Sequence, residues 1–235
     1  PISKKNNNFN KYLINFRDDG ILAIDRNGKI IYEIYLSEIF EKNALDHLIF
    51  GVGPLEFDPF HLNEIEVAKF SSNFWEKGDL MLSLIHRSMI LIYRPSTQKV
   101  IWYKIGPWLN QHDPDFLDEN VISIFGNDVI STHFNRMKEN APYFRNSNVI
   151  YKYNFKNNQV TKAMNNAMKN SIYNTVTGGR HQWIDENTLF VEYSNTGIYS
   201  LYHDDELVAY ICNINNKNKI IKGQITYIDK ISFKP

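Results

Sequence analysis

Two stretches of the chain carry nearly the same text: HDPDFLDENVISIF at 112–125 and HQWIDENTLFVE at 181–192. Each opens on a histidine, runs through a polar turn containing Asp-Glu-Asn, and ends in an apolar segment rich in β-branched and aromatic residues. Such residues fit the pleated, half-buried surface of a strand, and Asn or Asp between two such runs marks a hairpin. A third, looser copy is HLNEIEVAKFSSNFWEKGDLMLSLI at 61–85, with Gly-Asp-Leu in place of Asp-Glu-Asn. Downstream of each lies a second hairpin: ILIYRPSTQKVIWYKI (90–105), VIYKYNFKNNQVTKAM (149–164) and IYSLYHDDELVAYI (198–211). A fourth copy of that second hairpin, ILAIDRNGKIIYEIY, stands at 21–35. A repeated unit of four antiparallel strands is the blade of a β-propeller.

Working outward, the expected fold is all-β, a propeller of four-stranded antiparallel blades forming a single domain over residues 1–235. The blades fall at about 61–105, 112–164 and 181–211. The N-terminal segment 11–35 holds three further strands (YLINF, GILAID, KIIYEIY), and 223–233 holds one. Joining those leftovers closes a four-bladed ring; an arc of a six-bladed ring is equally compatible. SEIFEKNALDHLIF (37–50) has apolar residues at helical spacing after a serine followed by glutamate, which predicts a short helix between blades. Two long polar connections, 127–142 and 164–179, are of a length that is uncommon unless they serve a site.

Composition narrows the function classes. Of 235 residues, 43% are hydrophobic and 14% aromatic, with 14 Tyr and 15 Phe, so a chain of this length carries enough apolar surface for a large core. The 26 basic and 26 acidic residues cancel, which gives no general pull toward nucleic acid or an anionic membrane. The lone Cys212, in LVAYICN, reads as a core thiol and rules out an internal disulfide. No run of 18 apolar residues is present to span a bilayer, and PISKKNNNFNKYL shows no signal-peptide apolar segment. This leaves the compartment open.

The text at 58–125 resembles the bacterial arylsulfotransferase family. DPFHLNEIEV is similar to that family's H-x-N-[S/D/E]-I strand. GDLMLSLIHR is similar to its strand ending S-x-R, and STQKVIW to its turn ending V-x-W. NQHDPDF is similar to its Q-H-[D/T] strand. Downstream, RNSNVIYKYNF (145–155) and GGRHQWIDENTLFVEYSNTGIYSLY (178–202) continue the likeness, which covers roughly 20–230. The resemblance implies a six-bladed propeller whose central channel binds a phenolic sulfate, and a histidine that takes the sulfuryl group covalently and passes it to a second phenol. No cofactor is implied, and the partner is a small anionic or aryl molecule.

Sulfuryl transfer needs an unprotonated nucleophile, positive charge on the sulfate oxygens and a proton source for the leaving phenolate. Histidine supplies the first and last near neutral pH. Arginine supplies paired donors and a permanent charge. First strands of blades line a propeller channel, so His61, His112 and His181 are the candidate catalytic residues. His61 and His112 match family histidines, and His181 is placed by its strand position alone. Arg87, Arg145 and Arg180 are the candidate sulfate ligands, with Asn63 and Gln111 as polar supports and Trp108 as a ring to stack on the substrate. The family's nucleophilic histidine aligns near 193–199, where this chain reads YSNTGIY. Its sulfate-binding arginine follows the FGN turn, where His133 and Arg136 stand only loosely in register. The expected function is an enzyme transferring or hydrolysing sulfate esters of phenols through a channel lined by His and Arg; a catalytically inert propeller of the same build, binding a small anion, a glycan or a protein, is the alternative. No pair of His or Cys at ligand spacing points to a metal site, and HDPD at 112–115 lacks the loop signature of a calcium site.

Overall fold

The computed structural model describes residues 16–51, 55–130, 143–145, 147–171 and 173–213. The expected strands YLINF, but for Phe16, and 223–233 lie outside the described residues, as do His133 and Arg136. The observed class is the expected one: all-β, built on four-stranded antiparallel sheets of the blade type. The chain forms two compact units, residues 1–105 and 106–235.

In the first unit, β1 (Gly20–Ile24) and β2 (Ile30–Tyr35) form a hairpin around an Asp-Arg-Asn-Gly turn. Asp25 caps that turn, its carboxylate accepting from the Asn27 and Lys29 amides at 2.9 Å, and Gly28 takes the positive φ of 82° that the turn demands. The expected helix at 37–50 is two short helices, α1 (Leu36–Lys42) and α2 (His47–Phe50), interrupted at 43–46. Ser37 does not cap it. Helix α1 starts one residue earlier, and Ser37 is buried, donating to Asp18 through both its hydroxyl and its amide. The four-stranded sheet follows in the order β3 (Leu62–Val67), β4 (Leu80–Leu84), β5 (Met89–Arg94), β6 (Lys99–Ile105).

Burial follows the strand order. β4 and β5, with near-continuous apolar text, are buried on both faces, whereas no residue of the last strand β6 is fully buried. One core joins the elements of this unit: Ile34, Leu36, Ile39 and Phe40 from the hairpin and α1, Phe60 before β3, and Leu82, Leu84, Met89, Leu91 and Tyr93 from the sheet. Phe40 and Phe60 meet edge to face with centroids 4.9 Å apart. This contact fixes the segment that leads into His61.

The second unit holds two such sheets. The first comprises β7 (Gln111–Phe116), β8 (Val121–Gly126), β11 (Val149–Asn154) and β12 (Gln159–Ala163). Between β8 and β11, the short strands β9 (Val129–Ile130) and β10 (Tyr143–Phe144) pair by themselves. The connection 164–179, read as a polar loop, contains a one-turn helix, α3 (Asn165–Lys169). The second sheet is β13 (Arg180–Trp183), β14 (Thr188–Tyr193), β15 (Ile198–His203) and β16 (Glu206–Cys212). Its core draws Leu189, Val191, Tyr193, Ile198 and Tyr202 together with Phe125 and Ile150 of the preceding sheet, so the two sheets share one apolar interior. Cys212 lies partly buried against it. No helix among the described residues is long and apolar enough to cross a membrane.

Candidate functional site

The first strands of the sheets at 62–67 and 111–116 share a local distortion. The β3–β4 register shifts around Asn63, and the β7–β8 register shifts between His112 and Asp115. A bulge swings side chains off the pleat and re-aims them. Pro114 has no amide hydrogen and so suits the interruption, while His61 (φ 51°) and Asp113 (φ 49°) adopt left-handed backbone that turns the chain. The three candidate histidines then meet three different fates.

His112 is committed to bracing. Its Nδ1 lies 2.7 Å from Asn127 Oδ1 and 3.2 Å from the Asn110 carbonyl, and its Nε2 accepts the Gly178 amide hydrogen at 3.2 Å. Asn127 is itself fully buried and donates through Nδ2 to the carbonyls of Thr175 and Gly178. Both ring nitrogens therefore tie β7 to the 175–178 connection, and the proton belongs on Nδ1. Gln111 beside it is completely buried, opposite Gly126.

His181 is sealed. Its side chain is 0% exposed. Its Nε2 is 2.7 Å from Ser123 Oγ and its Nδ1 is 3.1 Å from Asp113 Oδ2, with Asp115 at 3.7 Å from Nε2. The re-aimed Asp113 also accepts the His181 main-chain amide at 2.6 Å. Burial works against a charge on this imidazole, but the Asp113 hydrogen bond and the Asp115 and Asp113 charges outweigh it and raise its pKa above the ordinary 6.5, against opposition from Lys152. Arg180, one residue earlier, lies across the ladder from Glu192.

His61 differs from both. It stands immediately before β3, with its side chain 41% exposed. Its Nδ1 is 2.7 Å from Asp58 Oδ2, and its Nε2 has no hydrogen-bond partner among the described residues. A carboxylate only accepts, so the neutral ring carries its proton on Nδ1 and leaves the Nε2 lone pair facing out. His86 joins it. The two rings are 4.6 Å apart, centroid to centroid, and His86 Nδ1 is 2.6 Å from the carbonyl oxygen of the same Asp58. Main-chain bonds clamp the two segments: the Ile85 amide donates to the His61 carbonyl at 3.2 Å and the His86 amide to the Phe60 carbonyl at 3.3 Å. Arg17 approaches Asp58 Oδ2 through Nη1 at 3.5 Å, and its Nε lies 3.2 Å from Asp19. Asp19 in turn accepts the Leu62 amide at 2.8 Å. His86, Asp58 and Arg17 were not among the residues singled out from sequence. The motif L-I-H-R offered His86, but the family match drew the choice to its neighbour.

Arg87 occupies a 3-10 turn (Ile85–Arg87), half-buried. Desolvation pushes its pKa down, with Glu56 opposing. Nη2 reaches the Ile49 carbonyl at 3.4 Å, and the buried Nε–H has no acceptor among the described residues. Arg145 is already engaged: Nη2 contacts Asp128 Oδ2 at 2.8 Å, the Pro107 carbonyl at 2.7 Å and Tyr151 Oη at 2.9 Å. Asp128 is completely buried, so this arginine neutralises a carboxylate of the interior. Trp108 is equally buried and packs edge to face on Tyr151 with centroids 6.1 Å apart. Asn63 falls at the β3 bulge.

A model of the family described as Arylsulfotransferase (ASST) matches residues 10–211 of the chain. No curated protein matches it.

Proposed function

Because the chain belongs to the arylsulfotransferase family, we propose that it moves a sulfuryl group between phenolic oxygens, with His61 as the side chain that carries it. One observation supports this choice above the others. Of the three histidines that open strands, His61 alone combines a proton fixed on Nδ1 by a carboxylate with a solvent-facing Nε2 free of partners among the described residues.

The step is a displacement at sulfur. The Nε2 lone pair forms an N–S bond as the S–O bond to the donor aryl group breaks, and the phenolate leaves with that electron pair. A second phenol then attacks the sulfur, its oxygen forming the new S–O bond while the N–S bond returns its electrons to His61. The proton lost by that phenol goes to the accessible His86 Nε2, held beside His61 by the shared Asp58. Asp58 fixes the tautomer and stabilises the positive charge that builds on the ring. Arg17 and Arg87 supply positive charge for the sulfate oxygens. Arg145, Arg180, His112 and His181 act in this reading as scaffold.

The test is nitrophenolate release from 4-nitrophenyl sulfate with phenol as acceptor. The wild type releases it in an acceptor-dependent manner. His61→Ala lowers kcat by about 10³-fold or more, as loss of a nucleophile does, and Asp58→Asn by on the order of 10²-fold or more through loss of the fixed tautomer. A specific observation favours a second reading: two of the three strand-opening histidines have their ring nitrogens occupied by the protein itself. An inert anion-binding propeller predicts no release of nitrophenolate at any acceptor concentration.

A further inference from the structure

The His61–His86–Asp58 group has a property that sulfuryl transfer does not require. One ligand-type atom from each of the three residues lies within 4.8 Å of the other two. Zinc bound tetrahedrally at about 2.0–2.1 Å holds its ligand atoms roughly 3.3 Å apart. Rotation of partly exposed side chains covers that difference. Both imidazoles are clamped on main chain joined by two hydrogen bonds, so the approach is built into the backbone rather than left to chance rotamers. Asp58 Oδ1 is buried and accepts no hydrogen bond among the described residues. A buried carboxylate oxygen without a donor is a costly acceptor, and a cation relieves it.

We propose that Asp58, His61 and His86 form a binding site for a borderline divalent cation of the zinc class, through one imidazole nitrogen of each histidine and a carboxylate oxygen of Asp58. Imidazole with carboxylate suits zinc, cobalt, nickel and copper better than the hard ions magnesium and calcium. His86 is exposed, so a fourth coordination position opens to water. The charge balance agrees. Arg17 stands 3.5 Å from Asp58 Oδ2, but Asp19 beside it, 3.2 Å from its Nε, offsets its charge, so Asp58 is not neutralised by Arg17 alone. The second cluster of this kind, Asp113, Asp115 and His181, takes no ion in this account. Both imidazole nitrogens there are already bonded and the ring is sealed from solvent.

Metal binding stands without the sulfuryl-transfer reading. One consequence rests on that reading: an ion shared by Asp58 and His61 takes the carboxylate that fixes the His61 tautomer, so zinc inhibits turnover and a chelator restores it. The experiment uses the full chain, stripped with a chelator and titrated with cobalt chloride while the visible d–d bands are followed, then with zinc chloride by calorimetry. The wild type takes up one equivalent. His86→Gln, at an exposed position, and Asp58→Asn each weaken binding by about 100-fold or more, beyond the cost of losing an outer-shell partner, with an unchanged circular dichroism spectrum. His47→Ala, on α2, binds as the wild type does. Absence of one-to-one uptake, or uptake that His86→Gln and Asp58→Asn leave unaltered, overturns the site. If metal binds as described and 4-nitrophenyl sulfate is never turned over, the transfer reading falls and the metal site stands.

Discussion

At Ser123 the hydroxyl oxygen is 2.7 Å from His181 Nε2, and Asp113 holds the opposite nitrogen. The chemical order is that of a hydrolase relay, but Ser123 is 0% exposed, so no substrate reaches it. Its work is to lock two neighbouring sheets together. Because the folded pKa of His181 is raised above 6.5, the charged ring stabilises the fold. That contribution is complete below the unfolded pKa of 6.5 and is lost as pH rises through the higher folded value. Urea midpoints measured from about pH 6 upward should therefore fall more steeply for the wild type than for His181→Gln; parallel slopes would show that the ring folds uncharged. A strand opening at His181 was readable in HQWIDEN. The commitment of its ring was not, because its acceptor lies 68 positions away and is aimed by a bulge. His61 was legible as a candidate, whereas its partner His86 became visible only once Asp58 brought the two rings together.

At the scale of elements, the hairpins were legible because alternation and turn chemistry are local. β1–β2, β5–β6 and β11–β12 fall on the turns DRNGK, RPSTQK and NFKNNQ. Helix α1 was harder to read. Its apolar spacing was correct, but Ser37 answers to Asp18, 19 positions upstream, and not to the helix end. The bulges in β3 and β7 carry no signal of their own beyond Pro114, although the one in β7 re-aims Asp113. Tight approach of elements makes a second prediction. Gly179 enters β13 with φ 113°, and a Cβ there would stand 2.5 Å from the Phe125 ring. Gly179→Ala is expected to destabilise the protein by roughly 1–3 kcal/mol through overpacking and backbone strain. A urea midpoint equal to that of the wild type would contradict the described packing of β13 against β8.

For the molecule as a whole, the 26 positive and 26 negative charges cancel in sum, but among the described residues each compact unit holds a buried carboxylate in contact with an arginine. In the first, Arg94 grips the buried Asp79 in a two-pronged contact at 2.9 and 2.8 Å, with Glu76 at 2.8 Å on its third nitrogen. In the second, Arg145 meets Asp128. Breaking a buried pair by removing one partner leaves an uncompensated charge. Arg94→Ala should lower stability by about 3–5 kcal/mol, and Arg145→Ala, whose side chain is partly open to water, by about 1–3 kcal/mol, measured by urea denaturation. A loss below about 1 kcal/mol would mark the pair as solvated. The contact between Arg145 and Asp128 was not legible in the sequence, because the two residues stand 17 positions apart on separate strands' flanks.

The claim on which function rests is a covalent one, and it has a direct measurement. The protein is mixed with excess 4-nitrophenyl sulfate without acceptor, digested at alkaline pH and its peptides weighed. One SO₃ group is expected on the peptide bearing His61, discharged by adding phenol and absent in His61→Ala. A labelled peptide that does not contain His61, or nitrophenolate release with no labelled peptide at all, would contradict it.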